Sequence, residues 1–382
     1  MAERLVITGM GVVSALGVGL EKNLAALRAG RCGIAPVRYL PTSLSALPAG
    51  EVPLSQEELQ ALCGVPDAWP RTALLSLLAL REALSQAGLA PEGLSLISGT
   101  TVGGMDLTEK QWPAYSPYHS CGKATDLAAD KLGLGGFRTT LSTACSSAAN
   151  ALIFGARLLQ SGFCEHVVCG GSESLSDYHF HGFHSLMILD REPCRPFDAS
   201  RAGLNLGEGA AYLVLETETS ARRRGARLLA ILDGWGNACD AFHQTASSEN
   251  GEGAFRAMRE ALGRAGLEPA DIDYVNAHGT GTPNNDASES AALRRVFGDA
   301  LPPVSSTKAA TGHTTSASGS IEAVFCILAL LEGFIPPQLH FQTPDPACIT
   351  PETQLRTARL RHVLCNAFGF GGNDTSLLFS AL

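Results

Sequence analysis

The chain has 382 residues, 45% hydrophobic and 17% charged, with a net charge of −9; this is the balance of a globular protein with a large core, either two domain-sized units or one duplicated one. The acidic balance argues against a broad nucleic-acid-binding surface. Eleven cysteines, an odd number without a Cys-x-x-Cys pair, argue against structural zinc and for a reducing, cytoplasmic setting in which most thiols are buried as small apolar groups.

The first residues lack the apolar core of a signal peptide, and no uninterrupted apolar run is long enough to cross a bilayer. A first strand is expected over residues 4–8, with a tight turn at Gly9 to Gly11. The turn is preferred to a dinucleotide fingerprint because Ser14 stands at the third glycine position. Residues 35–68 read as a surface excursion. Leu74, Leu77, Leu80 and Leu84 predict a helix over 72–87. A strand at 94–99, a turn at Gly103-Gly104, a helix at 124–132 and a buried strand at 137–144 follow. Residues 146–162, rich in Ala and Gly, predict a buried helix that lies close to its neighbours.

Strands are expected at 167–169 and 210–216, separated by a polar, Gly-containing loop over 191–209. The arginines of 221–227 read as a solvated helix face. The second part repeats the grammar: helix 253–266, strand 272–276, helix 320–333, then strands 363–367 and 375–379. Interesting residues fall at strand ends, as an α/β layout provides.

The chemistry centres on Cys145 in residues 141–150 (LSTACSSAAN), where a strand hands over to a helix. A free thiol has a pKa of about 8.5, and the free N–H groups of a helix N-terminus favour its anion. Two glycine-flanked histidines lie downstream, His278 in NAHGTGTP (276–283) and His313 in KAATGH (308–313). Lys308 sits in the second motif. Glu322 lies in an apolar helix and needs a buried partner, for which Lys308 is the nearest candidate. Residues 366–373 (NAFGFGGN) form a third glycine-rich loop, in which Phe368 and Phe370 are placed to swing rather than to pack. His179, His181 and His184 invite a metal reading, but Asp177 is their only close carboxylate and no cysteine adjoins them.

Together these segments resemble the elongating β-ketoacyl-[acyl-carrier-protein] synthases of the thiolase-like superfamily. VITGMGVVS (6–14) looks like the family's opening, CRPFD (194–198) through LGEG (206–209) like its internal loop, and DAFH (240–243) like its mid-chain motif. The resemblance covers nearly the whole chain. It implies an α/β fold, the thiolase-like five-layered αβαβα built from two similar halves. Residues 1–245 would carry the nucleophile and 246–382 the two histidines.

The resemblance further implies that Cys145 is acylated and that His278 and His313 bind the extender carbonyl and promote decarboxylation. Lys308 would support the histidines and pair with Glu322. The N–H groups of Cys145 and Phe370 would form the oxyanion hole, with Phe370 as a gate and Phe368 supporting it. No metal and no other cofactor is implied. The partners implied are acyl- and malonyl-loaded acyl carrier protein, and a second copy or a related ketosynthase-like subunit in a dimer.

Three features depart from the family pattern. Residues 314–319 (TTSASG) replace small apolar residues, and the stretch between Gly104 and Cys145 is short. The basic carrier-docking helix is reduced to Arg71, with Arg201 and Arg222 to Arg224 as other candidates. They point towards a specialised type II polyketide or polyene pathway beside ordinary fatty-acid synthesis. The competing readings are a non-catalytic chain-length-factor-like partner, a degradative thiolase using a late cysteine such as Cys365, and a cysteine protease. Cys145 with both histidines opposes the first, the lack of a Cys-Gly-Gly-Gly motif the second, and the paired histidine loops the third.

Overall fold

The computed structural model describes residues 3–66 and 68–382. The first half supplies β1 (Leu5–Ser14), α1 (Arg71–Ala87), β2 (Ser95–Gly99), α2 (Met105–Gln111), α3 (Gly122–Leu132), β3 (Arg138–Leu141), α4 (Ser147–Gln160), β4 (His166–Glu173), α5 (Asp177–Ser185) and β5 (Gly209–Thr217). The second supplies β6 (Ala230–Cys239), α6 (Glu252–Ala265), β7 (Tyr274–Asn276), α7 (Pro283–Phe297), β8 (Val304–Ser305), α8 (Ser318–Glu332), β9 (His362–Gly369) and β10 (Asn373–Ser380).

The two halves repeat one topology. The first sheet runs β3-β2-β4-β5-β1 and the second β8-β7-β9-β10-β6. In each, the first three strands are parallel and the last two join antiparallel. The sheets meet where Val6 and Ile7 of β1 pair with Ile231 and Ala230 of β6. Helices α1 and α3 cover the first sheet, α6 and α7 the second, and α4 and α8 lie between the sheets. This is the five-layered αβαβα arrangement expected of the thiolase-like fold.

Local sequence explains the layers. Helix α1 turns its leucines into the first sheet and ends at Gly88 in the left-handed conformation. Helix α8 is buried on nearly every side. The stretch Thr315–Glu332 has the length and apolar character of a membrane span, and packing between two sheets accounts for that character. Gly319 of α8 lies so near α4 that a Cβ would come within 2.7 Å of the Ala149 methyl.

Several expectations are corrected. Gly9 to Gly11 form no turn: β1 runs through them to Ser14. A Cβ at Gly9 or Gly11 would lie 2.2 or 2.1 Å from the carbonyl oxygen of Ala83 or Ala79. The glycines therefore let α1 lie directly on the strand. Strand β3 is half-exposed rather than buried, because it is the edge of its sheet. Residues 35–68 include a capped helix, Gln56–Cys63, that buries Leu59 and Cys63. Arg224 does not lie on a solvated face but turns inward onto Glu216.

Candidate active site

Cys145 stands between β3 and α4, on a turn where Ala144 takes φ +51°. That conformation strains a residue with a side chain, and neighbouring hydroxyls brace it. Ser146 Oγ donates to the Thr143 carbonyl at 2.8 Å and Ser147 Oγ to the Ala144 carbonyl at 2.6 Å. Asn150 Nδ2 donates to Thr143 Oγ1 at 2.9 Å.

His278 follows β7. Its backbone N–H and that of Gly279 donate to the Glu289 carboxylate at 2.9 and 2.8 Å, and Asn366 Nδ2 donates to Glu289 at 3.1 Å. Glu289, on α7, thus ties the histidine loop to β9. Asp286, one turn earlier, accepts from the backbone N–H groups of Phe197 and Thr280. His313 follows the short helix Lys308–Thr311; its backbone N–H donates to the Asn205 carbonyl at 2.7 Å.

These loops converge. His313 Nε2 lies 3.1 Å from Cys145 Sγ. The sulfur and a nitrogen from each of His278 and His313 lie within 4.8 Å of one another. The two imidazoles meet edge-on, centroids 5.1 Å apart at 83°. Lys308 Nζ and Glu322 Oε1 pair at 2.5 Å, both buried.

Burial sets the protonation states. It pushes the Cys145 thiol up to about 11, against the opposing pull of the Lys308 ammonium and the N–H of Phe370. The helix N-terminus was expected to favour the thiolate, but desolvation outweighs it. Both histidines are held well below their ordinary range, by burial first and then by Lys308. Burial raises Glu322 and Glu289 to about 7 each, with Lys308 opposing the shift at Glu322 and backbone N–H groups opposing it at Glu289. The site thus holds a neutral thiol against neutral imidazoles. By spacing alone the three side chains could hold a metal ion, but the Lys308 charge that acts on all three opposes a dication there.

The glycine-rich loop divides its aromatics. Phe368 is buried at the end of β9, 5.9 Å from the His278 ring, and packs rather than swings. Phe370 lies in the turn, stacked on Phe183 with centroids 6.0 Å apart at 17°. Cys145, His278, His313, Phe368 and Phe370 line a cavity of about 340 Å³. A second cavity, of about 1190 Å³ and lined by Met105, Trp112 and His179 among others, shares Phe183, Leu186 and Phe370 with the first. Phe370 therefore stands between the thiol and the larger space.

Other candidates lie outside the Cys145 cavity, with His179 on the wall of the second one. On α5, His179 is buried against Phe183, His181 faces Asp177 on the surface, and His184 is exposed, because their spacing puts them on different helix faces. Arg71 is buried and pairs with Glu208 at 2.6 Å, and Arg201 pairs with Asp345 at 2.5 Å, so neither is free to dock a carrier. Sequence reasoning missed Glu289, Asp286 and Glu173. The available signal was a carboxylate set among small residues with no neighbouring cation.

Two family models match the chain: "Beta-ketoacyl synthase, N-terminal domain" over residues 2–221 and "Beta-ketoacyl synthase, C-terminal domain" over 229–342. A 3-oxoacyl-[acyl-carrier-protein] synthase 2 of Synechocystis is 33% identical over 99% of this chain and 98% of its own length. Nodulation protein E of Rhizobium meliloti is 36% identical over 99% of both. Among solved structures, the ishigamide ketosynthase/chain length factor is 34% identical and superposes over all of both chains with a TM-score of 0.91. A ketosynthase solved in complex with its chain length factor, from Xenorhabdus doucetiae, is 31% identical, with a TM-score of 0.86 over 100% of this chain and 98% of that one.

Proposed function

The chain belongs to the β-ketoacyl synthase family, and on that premise we propose that it condenses an acyl group held on Cys145 with a malonyl thioester of acyl carrier protein, releasing carbon dioxide and a 3-oxoacyl thioester. The observation that carries this reading is the 3.1 Å contact between Cys145 Sγ and His313 Nε2, with His278 edge-on beside it.

A neutral thiol beside a neutral imidazole suits acyl transfer. His313 takes the proton as Sγ attacks the carrier thioester, and the departing carrier thiol takes it back. In the second half-reaction the bond from the malonyl carbon to its carboxylate breaks. The electron pair stays as an enolate, whose oxygen accepts hydrogen bonds from the imidazoles. Neutral rings serve here because the enolate needs donors and not acids. The carbanion attacks the Cys145 thioester, and the N–H groups of Cys145 and Phe370 face the oxyanion. An oxyanion donor is typically worth about a hundredfold to a thousandfold in rate. The tetrahedral adduct expels the Cys145 sulfur as a thiolate, which takes one proton from water to restore the resting thiol. The scheme balances without a redox group or metal, since loss of carbon dioxide supplies the electron pair.

The roles divide by sequence: residues 1–245 contribute the nucleophile and 246–382 the imidazoles and Lys308. Phe370, between the two cavities, acts as the gate, with Phe368 holding the His278 ring. The partners are the carrier protein and a second copy or related synthase chain, for which the half-exposed edge strand β3 offers unpaired backbone groups. The likeness to a 3-oxoacyl synthase and to a ketosynthase/chain length factor supports a product of fatty-acid or type II polyketide assembly. All eleven cysteines are free, which suits work in the cytoplasm.

The chain-length-factor alternative leaves the sulfur–imidazole contact without a purpose. The thiolase alternative fails on Cys365, which is buried in β9 beside Cys326 and does not line the Cys145 cavity. Intact mass after mixing with an acyl-carrier thioester tests the reading. The wild type is expected to gain one acyl group and Cys145→Ala none. A Cys145→Ala protein that still condenses acyl and malonyl carriers refutes it.

A further inference from the structure

We propose that Glu173 is a positioning residue: it clamps the segment that follows His313 to the loop that follows β2, and so holds the imidazole against Cys145. This rests on reading Cys145 as the nucleophile.

Glu173 ends β4 and is fully buried. Six donors converge on it from two directions. From the loop after β2, Thr100 Oγ1 and the Val102 N–H reach Oε1 at 2.6 and 3.1 Å, and the Thr101 N–H reaches Oε2 at 2.9 Å, joined by the Thr101 hydroxyl. From the other side, Ser316 Oγ reaches Oε2 at 2.5 Å and Thr315 Oγ1 at 3.5 Å. A carboxylate is acceptor-only, and a neutral residue here would leave several of these buried donors unpaired.

The second group of donors gives the clamp its purpose. Ser316 is three residues past His313, and Thr315 between them holds φ +43°, a conformation that a β-branched residue adopts only under constraint. Two residues further, Ser318 Oγ donates to the Cys145 carbonyl at 3.3 Å. The segment 313–318 thus touches the nucleophile at both ends, and Glu173 fixes its middle. This also assigns a purpose to the Thr-Thr-Ser run at 314–316, which the catalytic scheme leaves unexplained. No step of that scheme passes a proton through Glu173.

The charge of Glu173 also opposes a Cys145 thiolate. This supplies a readout that loss of packing alone does not move. The experiment compares wild type, Ser316→Ala, Glu173→Gln and the double variant by three measurements: iodoacetamide alkylation of Cys145 against pH, carbon dioxide release from malonyl carrier, and melting temperature. Ser316→Ala is expected to slow carbon dioxide release by roughly tenfold and Glu173→Gln by roughly a hundredfold, the scale of a small misplacement of a reacting group. The double variant is expected to lose no more than Glu173→Gln, because both act through one contact. Glu173→Gln also shifts the alkylation midpoint to lower pH. Unchanged rates per folded molecule in Ser316→Ala, additive losses in the double variant, or an unmoved midpoint in Glu173→Gln each overturn the proposal. Acylation of the wild type by an acyl carrier, run alongside, separates a failure of the clamp from a failure of the proposed reaction.

Discussion

The Lys308 ammonium meets the Glu322 carboxylate at 2.5 Å, fourteen residues apart in the chain and both buried. The pair orders the turn that delivers His313, and its cation acts electrostatically on Cys145, His278 and His313 alike. Removing one partner leaves the other uncompensated in a low-dielectric interior, at a cost of about 3–5 kcal/mol, whereas replacing both by apolar residues of similar volume is close to neutral. Lys308→Met is therefore expected to lower the melting temperature sharply, and Lys308→Met/Glu322→Leu to recover most of the loss. Decarboxylation of malonyl carrier is expected to stay impaired in both. Calorimetry beside carbon dioxide release separates the structural from the catalytic share.

Alkylation of Cys145 reports which influence sets its protonation. A thiolate–imidazolium pair would titrate below neutrality. Here burial pushes the thiol up to about 11, with Lys308 and the Phe370 N–H offsetting part of that rise. Iodoacetamide reactivity is expected to rise through a midpoint above the free-thiol value of about 8.5. Lys308→Met, which removes the favourable cation, is expected to move it higher. A midpoint well below neutrality would show that the helix terminus wins over desolvation.

Asp374 gives a stability test with a definite sign. Burial first, then the charges of Asp240 and Glu289, raise its carboxyl to about 8 from an ordinary value of 3.8. Below the unfolded value both states are protonated and nothing is lost. Between the two values only the unfolded state releases the proton, so stability falls as pH rises, by up to about 1.4 kcal/mol per pH unit. Asp374→Asn removes this effect. Its stability relative to the wild type is expected to climb as pH rises from the unfolded value of 3.8 to the folded value of about 8, followed by urea unfolding. A constant difference across that range would refute the assignment.

The parts legible in the sequence were those where chemistry and backbone special cases coincide. Cys145 and His278 each sit on a glycine- or serine-bearing turn just past a strand, and His313 follows Gly312 at the end of a short helix, places that present a side chain to a cavity. Helix α1 showed because its buried face is leucine. Helix α7 did not, because the face it buries carries Asp286, Ser288, Glu289 and Ser290, which hydrogen-bond to loops instead of packing as hydrocarbon. Strand β6 hid for a related reason: Gly234, Trp235 and Gly236 read as loop when local preference is the only guide. Glu173 gave no sign of its role beyond being a carboxylate among small residues, since all six of its donors come from distant segments. Arg71 misled because an exposed arginine and a buried one paired with Glu208 look alike without the partner.

The repeat itself was written in two glycine pairs. Gly9 and Gly11 let α1 rest on β1, and Gly234 and Gly236 do the same for α6 on β6. A Cβ at Gly234 or Gly236 would lie 2.1 Å from the carbonyl oxygen of Ala261 or Ala257, and at Gly11 2.1 Å from that of Ala79. In each case the obstacle is backbone, which cannot rotate away as a side chain does. Either the helix must lift from the sheet or the strand must bend. Overpacking of this kind costs about 1–3 kcal/mol and can exceed that where backbone must shift. Gly11→Ala and Gly236→Ala are each expected to lower stability by at least about 2 kcal/mol in urea unfolding. The two glycines lie on different strands and press on different helices, so their losses are expected to add in the double variant. A sum far below the separate losses would mean that the shared layer of α4 and α8 lets one half relieve strain in the other, and the halves would then be one mechanical unit instead of two stacked copies.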